Sequence, residues 1–215
     1  MKTIISYAAF AIITVLIVSG VYTGSGFEPG ALPGSARISD RDIQSDGDVV
    51  VKLDGKGITS EKLAEMVASG EIPGNVTVLW LFGNNLTDIG ALGGLTELTC
   101  LLLDENKITD ITALGNLKNL KILAIGKNEI EDIGILKELT GLNELHCGHN
   151  KITKINVLEG LVNLEQLNVY NNRIGDISVL YGMKSLAELW IDSRQITEKQ
   201  ALRLQNDLPN CKIFM

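Results

Sequence analysis

Residues 98–119 read LTCLLLDENKITDITALGNLKN, and residues 142–163 read LNELHCGHNKITKINVLEGLVN. Both are 22 residues long and carry apolar side chains at the same places. Asn recurs at 84, 106, 128, 150 and 172, each step equal to 22. Counted from Val76, five such units run through Ser185, with apolar residues at positions 1, 4, 6, 11, 14, 17 and 20 and Asn at position 9. All 35 apolar places are filled by apolar residues, from Val76, Leu79 and Leu81 to Ile177, Leu180 and Met183. A fixed period of this length is the signature of a solenoid.

Alternation at positions 4 and 6 predicts a short strand whose two apolar side chains face inward. The Asn ends that strand, and positions 11, 14, 17 and 20 bring the chain back over the far side. One coil cannot offset the entropy of ordering its own backbone, so stacking of neighbours is obligatory. Asn84, Asn106, Asn128, Asn150 and Asn172 are expected to form a structural ladder. A side-chain amide carries two donors and an acceptor and can satisfy backbone groups freed where the strand turns. Asp88, Asp110, Asp132 and Asp176 recur at position 13 and are read as caps of a turn on the far side.

The pattern LxxLxLxxNxIxxIxxLxxLxx, carried by Leu98 to Asn119 and Leu142 to Asn163, resembles the 22-residue leucine-rich repeat of bacterial internalins, over Val76 to about Leu208. The resemblance implies an α/β leucine-rich-repeat right-handed solenoid with a parallel concave β-sheet and a short helical or irregular convex side. It also implies that partners dock on the concave face. No immunoglobulin-like domain and no sortase-type anchor follow the repeats in this sequence.

The array is expected to be capped at both ends. Residues 37–75 read as an N-terminal cap, with a strand over Val49 to Leu53 and a helix over Thr59 to Ser69. Residues 186–215 read as a C-terminal capping repeat in which Arg194 replaces the Asn and Thr197 with Gln200 makes a capping box. The register is then expected to restart at Leu208, placing Cys211 and Ile213 at core positions 4 and 6. Eight strands result, a sheet roughly 34 Å across at about 4.8 Å per gap.

Positions 3, 5 and 7 alternate away from the core and should line the concave face. Val78, Trp80, Phe82, Leu102 and Ile122, together with Cys100 and Ala124, form an apolar N-terminal half. His146, Tyr170 and Trp190 punctuate a polar C-terminal half. A solvent-facing apolar patch with rigid aromatics marks a binding surface, so these are the candidate ligand-binding residues. The expected partner is a protein or peptide, with self-association through the same patch as the alternative. His146, Cys147 and His149 lie close in sequence, but Cys147 sits at core position 6 and points away from His146. The acidic run Asp40, Asp42, Asp46 and Asp48 lacks the twelfth-position Glu of a calcium loop. No metal site and no cofactor are expected. No nucleophile falls beside a histidine, no Gly-rich phosphate loop occurs and no carboxylates pair across a cleft, so catalysis is not expected.

A net charge of -7 excludes a phosphate-tracking nucleic-acid binder. Residues 1–22 read as a signal peptide or N-terminal membrane anchor, with Lys2 before an apolar run from Ile4 to Val18. Residues 23–36 read as a Gly/Pro/Ser linker. Both readings of the first segment export the repeats, giving a secreted or cell-surface protein that touches membrane only through that segment if it is uncleaved. The alternative is an intracellular regulatory subunit of a phosphatase-like enzyme, whose 22-residue repeat is similar.

Overall fold

The computed structural model describes residues 47–215, together with the short strands Ile4–Ile5 and Val15–Ile17. The stretch read as a signal peptide or anchor, the stretch read as a linker and the acidic residues Asp40, Asp42 and Asp46 otherwise lie outside the described residues. Eight parallel strands follow in strict chain order: Val49–Lys52, Val78–Trp80, Cys100–Leu102, Ile122–Ala124, Glu144–His146, Gln166–Asn168, Glu188–Trp190 and Lys212–Phe214. Val15–Ile17 pairs antiparallel with Val49–Lys52, and Ile4–Ile5 pairs in turn with Val15–Ile17. Among the described residues, no helix is long and apolar enough to cross a membrane.

Neighbouring repeats pair with no slip, so Leu79, Leu101, Leu123, Leu145 and Leu167 stack in one row. All seven apolar columns are buried in one continuous core, and the most exposed member is Met183 at 7%. On the far side positions 15–19 form 3-10 helices: Gly90–Gly94, Thr112–Asn116, Gly134–Glu138, Asn156–Gly160 and Ser178–Gly182. A five-residue 3-10 turn lets the Ile at position 14 and the Leu at position 17 both face inward, since three residues complete a turn. The position-13 carboxylates do the expected work. Asp88 accepts from the Gly90 N–H at 2.7 Å, Asp110 from Thr112 at 2.8 Å and Asp132 from Gly134 at 2.7 Å.

The Asn ladder bridges coils as well as closing each turn. Asn128 Nδ2 donates to the carbonyls of Ile125 and Gly126 in its own turn and to Leu103 of the previous coil, at 2.9–3.1 Å. Its Oδ1 accepts from the Ile108 N–H of the previous coil at 3.0 Å. Asn84, Asn106, Asn150 and Asn172 repeat this pattern, and all five are buried.

Position 8, just before each ladder Asn, was not singled out in the sequence reading. Gly83, Glu105, Lys127, His149 and Asn171 fill it, and all five have left-handed backbone, with φ between 49° and 64°. Only Gly83 and Asn171 are residue types that enter this region readily, so the column carried too faint a signal to be read. A Cβ at Gly83 would stand in ordinary contact, 3.9 Å from Gly55, so the penalty there is set by backbone strain. Gly83→Val is therefore expected to cost about 1–2 kcal/mol, whereas Gly83→Asn should be close to neutral. Thermal unfolding of the two variants side by side checks this, and equal midpoints would refute it.

Both caps form. Helix α1, Ser60–Ala68, starts at Thr59, whose hydroxyl accepts from the Lys62 N–H, and it buries Leu63 and Met66. Helix α2, Glu198–Asp207, opens on the expected capping box between Thr197 and Gln200. The last strand departs from the sequence reading. Ile213 lies opposite Leu189 and Phe214 opposite Trp190, so Ile213 occupies position 4 and Phe214 position 5. Cys211 is not at a core strand position. Its N–H bonds the Leu208 carbonyl at 3.1 Å, the bond that Leu98 makes to Leu95, so it stands where a repeat begins. Leu208 thus ends the α2 coil instead of starting a new one, which moves the strand along the chain.

Candidate binding face

The face opposite the core is built by the odd positions of each strand, as alternation requires. At position 3, Val50, Val78, Cys100 and Ile122 stand in register across four strands, and Trp80 and Leu102 pack against them. This ladder is not solvent-facing, contrary to the sequence reading. Val78 is 1% exposed, Cys100 1% and Ile122 7%. Neighbouring strands bring identical rows of apolar side chains together, and the larger Trp80 and Leu102 close over them. The apolar surface still reachable from solvent is Trp80, Phe82 and Leu102, all half-buried. Lys52 Nζ lies 3.7 Å from the Trp80 ring centre, a cation–π contact.

The opposite end carries a second aromatic group. Trp190 stacks on Phe214 with ring centres 4.9 Å apart and planes at 10°. Phe214 was missing from the sequence reading, which set this strand two coil positions off. Tyr170, half-buried, contacts the His149 ring at 5.7 Å.

Between the two ends the floor is low. Ala124 is fully buried, and Gly126 and Gly148 have no side chain. Neighbours have folded into that space: Asp104 Oδ1 accepts from the Gly126 N–H at 2.8 Å, and Asn168 Oδ1 from the Tyr170 N–H at 2.9 Å. A Cβ at Gly126 would stand 2.7 Å from Asp104 Oδ1, and one at Gly148 would stand 2.8 Å from Asn168 Oδ1. Both glycines are thus required by close approach.

His146 sits in this floor at 4% exposure, and both of its ring nitrogens are buried without a hydrogen-bond partner. Its Nε2 is 3.8 Å from Glu144 Oε2, and Trp190 lies 6.2 Å away, centre to centre. Burial pushes the Asp104 carboxyl up to about 6, against the pull of His146 and of the Gly126 hydrogen bond. Asp54 occupies the same position 7 at the start of the array and is likewise raised to about 6 by burial, but Lys52 and Lys56 act on it. Asp192, also at position 7, is held below the ordinary carboxylate range by Arg194. Cys147 points into the core, and burial raises its thiol to about 12, leaving no thiolate beside His146. Among the described residues, no three metal-ligating side chains come together.

A stacked parallel sheet with an Asn ladder and a fixed 22-residue period defines the class. A family profile described as "Leucine Rich repeats (2 copies)" matches residues 74–116, 96–141, 118–160 and 140–182, together half of the sequence, and the chain belongs to the leucine-rich-repeat family. Within that family it is similar to bacterial internalins. An internalin (inlF) from Listeria monocytogenes superposes with a TM-score of 0.63 at 26% identity, covering 79% of this chain and 51% of that one. Internalin C2 from the same organism gives 0.51 at 25% identity, covering 66% and 80%. The ectodomain of the Arabidopsis thaliana receptor kinase GASSHO1/SCHENGEN3, in complex with Casparian strip integrity factor 2, gives 0.52 at 26% identity, covering 66% and 18%. The chain thus spans about half the length of the inlF structure. Among curated proteins nothing matches. Internalins and receptor ectodomains share this architecture, which is that of a protein–protein interaction module.

Proposed function

We propose that this chain is an exported leucine-rich-repeat module that binds a protein or peptide ligand on its concave face. The observation that carries the reading is the pair of solvent-reachable aromatic groups, half-buried Trp80 with Phe82 and half-buried Trp190 with exposed Phe214, at the two ends of a low polar floor. Rigid aromatics at the rim of a preformed surface lose little entropy on contact and are common hot spots. The likeness to internalins supports a surface or secreted location, and the receptor ectodomain solved with its factor supports a macromolecular ligand. Residues 1–22 supply the export signal or anchor in this reading.

The test is capture of surface and extracellular proteins by the full chain beside a Trp80→Asp, Phe82→Asp double variant shown to be folded by circular dichroism. The wild type is expected to retain a protein whose affinity for the variant is weaker by about tenfold or more. Equal retention by both would move the site away from the N-terminal aromatics. Capture of the chain by itself alone would replace the reading with self-association.

A further inference from the structure

Three carboxylates share position 7 of the concave face, and two of them have a cation beside them. Asp54 has Lys52 and Lys56, and Asp192 has Arg194 at 2.5 Å. Asp104 has neither a Lys nor an Arg among the groups that act on it, and its nearest basic influence is His146. Glu144 is in the same position, since its ion-pair contact is with His146 at 3.8 Å. At the C-terminal end Glu188, in the same column as Glu144, is matched by Lys212 at 3.3 Å. Among the described residues, the middle of the face is therefore where negative charge goes without a lysine or arginine of its own.

His146 marks the same spot independently. Burying an imidazole with neither nitrogen bonded is costly, and native structures rarely leave one so. One nitrogen of the neutral ring accepts and the other donates; in His146 Nε2 lies 3.8 Å from Glu144 Oε2, and Asp104 feels the same ring electrostatically. Asp104 and Glu144 remain partly exposed on this low floor, and His146 is buried in it. Gly126 and Gly148 add no side chain of their own, which leaves that space to Asp104 and Asn168, and the Trp190 ring stands 6.2 Å from His146.

We infer that this part of the concave floor receives one arginine side chain of the bound protein, with Asp104 and Glu144 as its counter-charges and His146, uncovered as the two carboxylates turn to the ligand, as a hydrogen-bond partner. Arginine fits better than lysine. Its planar fork can donate to several acceptors at once, and its face packs on an aromatic ring such as Trp190, whereas an ammonium is a compact point charge. The inference rests on the concave-face reading above and deepens it by naming the chemistry of one contact.

The chain has two histidines, His146 and His149, so imidazole resonances of the full-length protein report the site with an internal control. N-acetylarginine amide is titrated at constant ionic strength, with N-acetylglutamine amide as the uncharged comparison. A saturable shift of the His146 ring nitrogens, larger than that of His149 and absent with the glutamine probe, is expected. Asp104→Asn with Glu144→Gln should weaken that binding by about tenfold or more while near-ultraviolet circular dichroism is preserved. No saturable shift, an equal shift with glutamine, or a shift unaffected by the double variant overturns the arginine site. The two readings fail separately. A partner whose capture depends on Trp80 and Phe82 keeps the concave-face function even when the arginine probe does nothing. A partner indifferent to those residues removes that function whatever His146 reports.

Discussion

Asn128→Ala is expected to lower the free energy of unfolding by roughly 3–5 kcal/mol, since each buried backbone group left unpaired costs about 1–3 kcal/mol. The substitution removes four hydrogen bonds at once: three donated to the carbonyls of Leu103, Ile125 and Gly126, and one accepted from the Ile108 N–H. Alanine restores none of them. Two of the four belong to the preceding coil, so the damage falls on the interface between repeats, which carries the stability of a solenoid. Asn119→Ala is the internal control. That side chain is exposed and makes a bond to the Thr96 carbonyl at 2.9 Å, so water can replace it, and its loss should cost less than about 1 kcal/mol. Urea unfolding of the three proteins gives the comparison. A loss at Asn128 no larger than that at Asn119 would mean that water enters the ladder, and the ladder would then be a local turn device and not an inter-coil brace.

The ladder, the seven apolar columns and the position-13 carboxylates were all legible in the sequence, because each is a repeated residue type under a repeated physical demand. A demand met by different residues leaves a fainter trace. Position 8 needs left-handed backbone in every coil, yet Glu105, Lys127 and His149 occupy it beside Gly83 and Asn171, so residue type alone does not reveal the column. The last strand was misplaced for a related reason. Leu208 is apolar and precedes a Pro-Asn turn, which reads equally well as the start of a coil or the end of one. Only the backbone bond from Cys211 to Leu208 and the pairing of Phe214 with Trp190 separate the two. The candidate site was half legible. Strand alternation sets Trp80, Phe82, Leu102, His146, Tyr170 and Trp190 on one face, but it does not say how deep each one lies. Val78 and Ile122 are buried because two larger side chains close over their row, and that depends on contacts between strands. The relation of Asp104 to His146 spans two repeats and was not visible either, since nothing in one repeat's pattern shows which charges in another go unmatched.

Asp104→Asn is expected to stabilise the protein by about 1–3 kcal/mol at pH 7, the cost of ionising a carboxyl that burial pushes up to about 6, partly relieved by water at the rim. Burial raises the Asp104 carboxyl from 3.8 to about 6, so the folded chain holds that proton more tightly than the unfolded one. The contribution of the protonated form is fully present below pH 3.8, fades as pH rises to about 6, and is absent above it. Asparagine keeps the oxygen that accepts from the Gly126 N–H and carries no charge, so it removes this loss without removing the bond. Asp54 shifts in the same direction and Asp192 in the opposite one, but both are common to the two proteins and cancel in the difference. The quantity to measure is therefore the difference in unfolding free energy between wild type and variant from acid to neutral pH, by urea titration at each pH. It should be near zero in acid, grow across the interval between the two ionisation points and level off above it. A difference that stays constant with pH would show that the Asp104 charge carries no penalty in the folded chain. A difference that grows as described, in a variant that has lost the arginine response of His146, would mean that the chain gives up stability at this position to keep a charge that the free protein does not neutralise.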